Sequence, residues 1–288
     1  MSDRTLTFLV TRAKARLRRY RLAQTVYRRL NWHLRLQFAR SPWSVALETS
    51  GSCNRKCSYC PVSLNERSGE MPRDLFEKVI DDLARIGFKR TLSFHFYNEP
   101  LLDKRLPDLV AYARKRLPDS VLDIFTNGDY LTPAWIKSLL DAGIKVIRVS
   151  LHSPNSERHV RKVLEEVDER SRGKVVWQSY WDREATGGFL YNRIEMSESL
   201  PQIAPRVARG TGCSLVNSLA INYEGETALC CNDFFADNGH GNVAELSVGD
   251  LWRRSRPVRK RIYLGYFEKE ICQACNVSSY LGRTLEKS

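Results

Sequence analysis

The stretch that decides the fold is Cys53-Asn54-Arg55-Lys56-Cys57-Ser58-Tyr59-Cys60, which places three cysteines within eight residues. It follows the apolar run 45–48 and the turn 49–52, so we expect it to form the loop after a first strand. Three thiolates this close can hold one metal centre. A [4Fe–4S] cluster normally takes four protein thiolates, so three leave one iron open to an exogenous ligand. An incomplete zinc knuckle or incidental cysteines are the alternatives.

Downstream of this stretch, strand patterns and helical patterns alternate. We predict strands at 91–96, 121–125, 145–151 and 174–181, and helices at 71–86, 106–116, 133–142 and 156–170. Regular alternation favours an α/β fold with a parallel sheet or barrel, in which functional residues gather at the C-terminal ends of the strands. From about residue 211 the pattern changes, and the segments flanking Tyr223-Glu224-Gly225 predict a β-hairpin.

The spacing Cys-x3-Cys-x2-Cys, with Tyr59 directly before the third cysteine, resembles the radical S-adenosylmethionine (SAM) superfamily. The resemblance implies a partial (β/α) barrel in which Cys53, Cys57 and Cys60 hold a [4Fe–4S] cluster whose open iron binds SAM. It also implies reductive cleavage of SAM to a 5′-deoxyadenosyl radical, which abstracts hydrogen from a C–H bond. Only about forty residues separate Leu151 from Asn192. We therefore expect the barrel to be shortened after the fourth strand.

The same resemblance identifies candidate SAM contacts at the ends of successive strands. Tyr59 would lie near the adenine. The segment Tyr97-Asn98-Glu99-Pro100 is similar to the family's Gly-Gly-Glu-Pro element, which receives the amino group of SAM, although Asn98 stands where the family has glycine. Thr126-Asn127-Gly128 ends the third strand, and Ser150 ends the fourth, where the family often places a ribose contact. Singly each is weak, since Thr-Asn-Gly is usually a turn.

Asn192-Arg193 resembles an Asn-Arg pair found near the active site of many members of this superfamily. Arg193 is therefore a candidate contact to a hydroxyl or carboxylate of the substrate. A surface salt bridge is the alternative for this arginine.

A second group of cysteines lies towards the C-terminus. The spacing Cys-x11-Gly-x4-Cys joins Cys213, Gly225 and Cys230, and Cys272-Gln273-Ala274-Cys275 adds two more thiols. By spacing alone, tetrahedral zinc also fits. Beside the first motif, the set resembles a twitch domain, which is similar to a truncated SPASM domain and implies one auxiliary [4Fe–4S] cluster. Cys231 is left over, because the glycine spacing favours Cys230 and adjacent strand residues face opposite sides.

Positive charge is concentrated at the N-terminus. The chain of 288 residues carries a net charge of +13, and residues 1–42 contain eleven basic residues and one acid. Apolar residues at steps of three and four between 13 and 38 predict a basic amphipathic helix. Such a helix could pack on the main domain, dock on an anionic membrane surface, a phosphorylated partner or nucleic acid, or serve as a transit peptide. We find no apolar run of transmembrane length, and we expect a cytoplasmic protein, with peripheral membrane contact through this helix left open.

We therefore predict three parts: a basic N-terminal helix (1–42), a radical SAM partial barrel (43–210) and a twitch or SPASM-like domain (211–288). The predicted activity is oxidation or a related rearrangement of a polyhydroxylated small molecule or a glycan or nucleoside precursor. The auxiliary cluster would act as an electron relay, and flavodoxin or ferredoxin as the reductant. A peptide-modifying maturase is one alternative. A zinc-binding, nucleic-acid-associated protein is another, which the nearly neutral body of the chain disfavours.

Overall fold

The computed structural model describes residues 26, 30, 41–57, 60–63, 65–179, 213 and 215–275. The strands in this part of the chain are β1 (Ser44–Leu47), β2 (Thr91–Ser93), β3 (Val121–Thr126), β4 (Val146–Leu151), β5 (Val175–Ser179), β6 (Ser218–Ile221) and β7 (Thr227–Ala228). The α-helices are α1 (Arg73–Arg85), α2 (Leu106–Arg116), α3 (Pro133–Ala142), α4 (Pro154–Glu165), α5 (Glu169–Arg172), α6 (Val248–Arg254), α7 (Arg256–Tyr263) and α8 (Glu270–Ala274).

The described strands form one sheet in the order β5-β4-β3-β2-β1-β6-β7. Neighbouring strands are parallel from β5 through to β6, and β6 pairs with β7 in the antiparallel sense. The alternation of parallel strands with helices confirms the predicted α/β fold. The C-terminal ends of β1 to β4 therefore lie along one edge of the sheet, which is where the sequence places its candidate site residues.

The predicted hairpin forms, and its first strand belongs to the main sheet. β6 pairs in parallel with β1 from Ser44↔Ser218 to Leu47↔Ile221. The hydroxyl of Ser44 donates a hydrogen bond of 2.7 Å to the hydroxyl of Ser218. Gly225 takes a φ of 86° in the turn between β6 and β7. The segment after 211 thus completes the sheet that the barrel strands begin, while the domain boundaries at 42 and 210 remain predictions.

The helices cover one face of the sheet and leave the other open. Val45, Leu92 and Ile147 point to the covered face and are fully buried, as is Phe76 of α1. On the opposite face, Phe125 is 36% exposed. Because neighbouring residues on a strand face opposite sides, β1 to β4 contribute apolar residues to the core and alternate residues to the open face.

Two predicted elements differ in extent from the structure. The helical pattern 156–170 forms two helices, because α4 ends at Glu165 and the side chain of Asp168 accepts a hydrogen bond of 3.0 Å from the Ser171 amide to begin α5. β2 ends at Ser93 rather than at residue 96.

The predicted N-terminal helix lies almost entirely outside the described residues. Within the described part of the chain, no helix is both long enough and apolar enough to cross a membrane.

Candidate functional site

The first cysteine group follows β1, as predicted. Cys53, Cys57 and Cys60 are all half-buried, and none of them forms a disulfide. Cys53 and Cys60 pack with Phe96 against a small buried cluster that includes Tyr97. Burial, together with the nearby Glu99, Cys60 and Cys57, raises the pKa of Cys53 to about 11, although a backbone hydrogen bond from Arg55 lowers it. The Cys53 thiol is therefore protonated at neutral pH in the metal-free protein, and metal binding releases its proton. The donor set fits an iron–sulfur cluster with three protein ligands.

A charged network ties this cysteine loop to the ends of two other strands. The guanidinium of Arg55 makes two hydrogen bonds of 2.6 Å to the carboxylate of Asp129, and another of 2.6 Å to the Ser156 hydroxyl. The Asn54 side chain donates a hydrogen bond of 2.9 Å to Asp129 and accepts one of 2.8 Å from the Asn127 side chain. These bonds hold the pKa of Asp129 below its usual value, against the effect of burial. The loop is thereby anchored to the segments that follow β3 and β4.

Glu99 is buried at the carboxyl edge of the sheet, where the sequence predicts it. Its carboxylate accepts hydrogen bonds from the Thr126 hydroxyl (2.6 Å), the Asn127 amide (2.7 Å) and the Leu101 amide (3.1 Å). Burial raises its pKa to about 7 even though these bonds lower it. A carboxylate has about four acceptor positions, so one is left for an N–H of a ligand. Thr126 and Asn127 are thus brought to the site, and they contact Glu99 directly.

Asn98 supplies a buried donor at the same edge. Its Oδ1 accepts a hydrogen bond of 3.2 Å from the Phe96 amide, while its buried Nδ2 has no hydrogen-bond partner among the described residues. An unpaired buried donor is costly, and the carboxylate of SAM is a ligand that would satisfy it. Ser150 is half-buried on β4, where its register partner on β5 is Gln178. Tyr59 and Arg193 lie outside the described residues.

The second cysteine group meets at one cavity. Cys213, Cys230, Cys272 and Cys275 line it together with apolar side chains of residues 215, 216, 229, 262, 267 and 271. Burial raises the pKa of Cys213 to about 11 and that of Cys272 to about 12, and it raises the pKa of Cys230 as well. Four thiols around an apolar cavity fit a fully ligated iron–sulfur cluster.

Cys230 and its neighbour Cys231 differ in burial. Asn232 donates from its amide to the Cys230 sulfur at 3.5 Å and from its side chain to the Cys275 sulfur at 3.4 Å. Cys231 is exposed and does not line the cavity. Both Cys230 and Cys231 follow the end of β7, so the strand alternation used to separate them does not apply. Burial distinguishes the two cysteines instead, because Cys230 lines the cavity and Cys231 is exposed.

Among the described residues, no three or more His, Cys, Asp or Glu side chains are grouped closely enough to hold a single metal ion. Tetrahedral zinc needs four ligands at about 2.0–2.3 Å from one ion, whereas a [4Fe–4S] cluster distributes its thiolates over four irons. A cluster and a single ion therefore differ in how far apart they hold the thiolates.

The open face of the sheet carries a polar and aromatic patch that the sequence analysis missed. Arg148 donates a hydrogen bond of 2.9 Å to the buried carboxylate of Asp123, and its guanidinium lies 5.5 Å from the ring centroid of Phe125. The ring of His95 packs on the same Phe125 at 4.2 Å. Ser93 donates to Asp123 from β2. The available signal is the arginine in the middle of the apolar strand pattern 146–151.

Comparison with known proteins agrees with this geometry. The radical SAM superfamily model matches residues 47–180, and a model described as an iron–sulfur cluster-binding domain (SPASM) matches residues 213–276. The chain is 30% identical over 238 residues to the S-adenosyl-L-methionine-dependent 2-deoxy-scyllo-inosamine dehydrogenase of Niallia circulans, covering 81% of this chain and 92% of the relative. A shorter match, to a PqqA peptide cyclase of Bradyrhizobium diazoefficiens, is 33% identical and covers 38% of this chain and 28% of the relative.

Among solved structures, that of BtrN in complex with AdoMet and 2-DOIA superposes with a TM-score of 0.72 at 27% identity, covering 81% of this chain and 92% of BtrN. An open conformation of BtrN gives a TM-score of 0.63 at 26% identity. The chain therefore belongs to the radical SAM superfamily, and it is an enzyme that uses SAM, a [4Fe–4S] cluster and a second iron–sulfur cluster bound by its C-terminal SPASM-type domain.

Proposed function

We propose that this enzyme oxidises an alcohol carbon of a polyhydroxylated small molecule to a ketone. The observation that carries the proposal is the second cysteine group, because its four cysteines line one cavity. A cluster with four protein ligands has no open iron for substrate and suits electron transfer. The relative that covers most of this chain is named as a dehydrogenase of 2-deoxy-scyllo-inosamine, which is a molecule of the proposed class.

The ligands of the two clusters are part of this proposal. Cys53, Cys57 and Cys60 would hold the first cluster, and residues 213, 230, 272 and 275 the auxiliary one. When bound, SAM and the two clusters supply hydrogen-atom abstraction and one-electron oxidation, which together convert an alcohol to a ketone with loss of the hydroxyl proton. The contribution of the chain is to bind, orient and exclude water. Asn98 and Glu99 would hold the carboxylate and amino groups of SAM through Nδ2 and the remaining acceptor position.

The substrate would lie on the open-face patch. The Phe125 ring offers an apolar surface to the C–H groups of a cyclic polyol, and Arg148 offers N–H donors to its hydroxyls. The guanidinium has five N–H donors in a fixed fork, and its bond to Asp123 fixes the orientation of those that remain. The side chain of Arg148 is 42% exposed, so it is available to a ligand. Arg193 remains a second candidate contact.

Reconstitution tests the chemistry. After anaerobic reconstitution we expect about eight irons per chain, from two clusters of four, and dithionite-dependent formation of 5′-deoxyadenosine. Replacing Cys53, Cys57 and Cys60 with Ala should abolish SAM cleavage, because no protein ligands remain at the first site. A colourless zinc protein, or cleavage that persists in the triple variant, would contradict the assignment.

Deuterium transfer tests the substrate class. A cyclic aminated polyol deuterated at the carbon that is oxidised should transfer deuterium to 5′-deoxyadenosine and yield a ketone. The Cys272→Ala/Cys275→Ala variant should still cleave SAM at saturating concentration and form no ketone, because the second electron has no acceptor. Transfer from a peptide and not from any polyol would favour the maturase alternative.

We also propose a protein reductant and an anionic partner. A flavodoxin or ferredoxin would deliver the reducing electron that radical SAM enzymes require. The basic segment 1–42 would provide a contact to an anionic membrane surface or another anionic partner, supported by its eleven basic residues.

A further inference from the structure

The auxiliary-site segment reaches across to the first cysteine site. Phe234 lies four residues after Cys230 and is 3% exposed. It belongs to the small buried cluster against which Cys53 and Cys60 pack. Its ring meets that of Tyr97 edge-on, with 4.8 Å between centroids. The Tyr97 hydroxyl donates a hydrogen bond of 2.6 Å to the carbonyl oxygen of Cys231. A single loop therefore touches both cysteine groups.

Arg67 forms a second link between the same two parts of the chain. Its guanidinium lies 4.9 Å from the ring centroids of both Tyr223 and Phe234, which come from the C-terminal segment. It also pairs with Glu48 at the end of β1, whose side chain is fully buried. A planar guanidinium can stack on two aromatic faces while keeping its fork on a carboxylate, which an ammonium cannot do.

The carboxylate of Glu48 binds groups from both parts of the chain. In addition to Arg67, it accepts hydrogen bonds from the Tyr97 amide at 2.9 Å and the Tyr223 amide at 3.3 Å. The ring of Tyr223 packs closely against Gly51, just before the cysteine loop. A Cβ on Gly51 would lie only 2.6 Å from this ring. We call Glu48, Arg67, Tyr97, Tyr223 and Phe234 the clamp.

We infer that the clamp couples the two cluster sites, with Tyr97 and Arg67 as positioning residues, so that ligation at the auxiliary site sets the SAM affinity of the first site. This inference rests on the proposed cluster ligands. Ligation of Cys230 fixes the start of the loop that carries the Cys231 carbonyl and Phe234. These two groups contact Tyr97, and Phe234 also contacts Arg67. Tyr97 belongs to the buried cluster against which Cys53 and Cys60 pack, and Arg67 follows their loop along the chain.

A double-mutant cycle tests the coupling. Four reconstituted proteins are compared: the natural chain, Tyr97→Phe, Cys272→Ala/Cys275→Ala, and the combination. Coupling between sites typically changes affinity by 5–150-fold, so loss of the auxiliary ligands should weaken SAM binding at least about fivefold and increase amide exchange across residues 53–67. Tyr97→Phe, which keeps the ring and removes one hydroxyl, should act in the same direction. The combined variant should be no weaker than the weaker of its parents, because both changes break one link.

Arg67→Lys gives an independent measurement in the fully loaded enzyme. It keeps the charge opposite Glu48 but loses the stacked plane, so SAM binding should weaken and the EPR signal of the SAM-bound first cluster should change. Arg73→Lys is the matched control, since Arg73 also pairs with a carboxylate (Glu77) and lies 5.9 Å from the Tyr112 ring centroid, but neither partner belongs to the clamp. It should change neither quantity.

Three outcomes would overturn the coupling. They are an unchanged SAM affinity after removal of Cys272 and Cys275, affinity losses that multiply in the combined variant, and equal effects of the two lysine variants. Each leaves the proposed function standing, because that function is judged by iron content, SAM cleavage and ketone formation in the natural chain. Failure of those three measurements would refute the proposed function directly.

Discussion

Glu99 is an acid whose surroundings favour its neutral form. It is 1% exposed, and burial raises its pKa to about 7, above the ordinary value of 4.5. Its three hydrogen-bond donors, from Thr126, Asn127 and Leu101, lower the pKa but do not offset the burial. In the SAM-free protein this carboxyl group therefore binds a proton near neutral pH that it would release in the unfolded chain.

Because of this proton, the free energy of unfolding of the apoprotein should depend on pH. A raised pKa in the folded state stabilises the fold fully below pH 4.5, and this contribution is lost as the pH rises through about 7. Each pKa unit corresponds to about 1.4 kcal/mol, so the free energy of unfolding should fall by roughly 3 kcal/mol from this group. Urea unfolding at several pH values should show that slope in the natural chain and lack it in Glu99→Gln. Parallel pH profiles for the two proteins would contradict the assignment.

The sequence locates the motif residues, but it does not reveal what they contact. The Cys-x3-Cys-x2-Cys spacing and Asn98-Glu99 are read directly, because these positions lie close together along the chain. The partners of Glu48 and Arg148 cannot be read in this way, since Tyr223 and Asp123 meet them through the pairing of strands, and Arg67 meets Glu48 through the path of the loop after β1. An arginine inside an apolar strand is a weak signal in the sequence. Its partners become known only from the strand register and from the burial of the side chains around it.

At the level of elements, the helices are predicted best. α2 and α3 begin and end where the sequence patterns place them, at 106–116 and 133–142. The reason is local: α3 begins with a Thr132 cap on the Trp135 amide and ends at Gly143, whose φ of 116° favours glycine. Strand ends are predicted less well, because they depend on the neighbouring strand. β2 ends at Ser93, where its ladder with β3 ends.

The element that presents the first site is the cysteine loop, and the Arg55–Asp129 pair anchors it. Asp129→Asn should weaken SAM binding about tenfold, because removing one charge from a bidentate, partly buried pair leaves the guanidinium without its carboxylate. The charge-reversed double variant Arg55→Asp/Asp129→Arg should recover part of the loss. SAM affinity and iron content measure both effects.

The control for this pair lies on α3. Lys137 and Asp141 also form an ion pair, but their side chains are 77% and 66% exposed. Asp141→Asn should therefore leave SAM affinity unchanged, since exposed pairs of this kind contribute little. An equal loss in both variants would assign the effect to net charge rather than to the anchor.

On the scale of the whole molecule, one sheet joins the part of the chain that holds the first cysteine group to the part that holds the second. Ile221 of β6 is fully buried in the same core as Val45 and Leu47 of β1. The sequence predicts the hairpin but not this pairing, because residues 44–47 and 218–221 are far apart along the chain and each reads as a local strand. The two parts of the chain should therefore unfold together.

Ile221→Ala tests that expectation. A buried large-to-small change costs about 2–5 kcal/mol, and it should lower a single unfolding transition shared by residues 41–179 and 215–275. Hydrogen exchange resolved by peptide, together with circular dichroism, measures this. Val176→Ala on β5 is the control, because Val176 is 45% exposed and should shift the transition little. Two separate transitions would contradict a shared core.

The parallel pairing of β6 with β1 limits how this enzyme can be recombined with its relatives. A chimaera joined near residue 210 takes the donor's last parallel strand together with its auxiliary-cluster segment, so a foreign β6 must match the register of β1 before any cofactor is loaded. A crossover placed between Cys231 and α6 leaves the sheet intact but divides the cavity cysteines between the two parents, with two on each side. Exchange of cluster domains among such enzymes is therefore an exchange of sheet strands, and libraries built on transferable cassettes should yield few folded proteins.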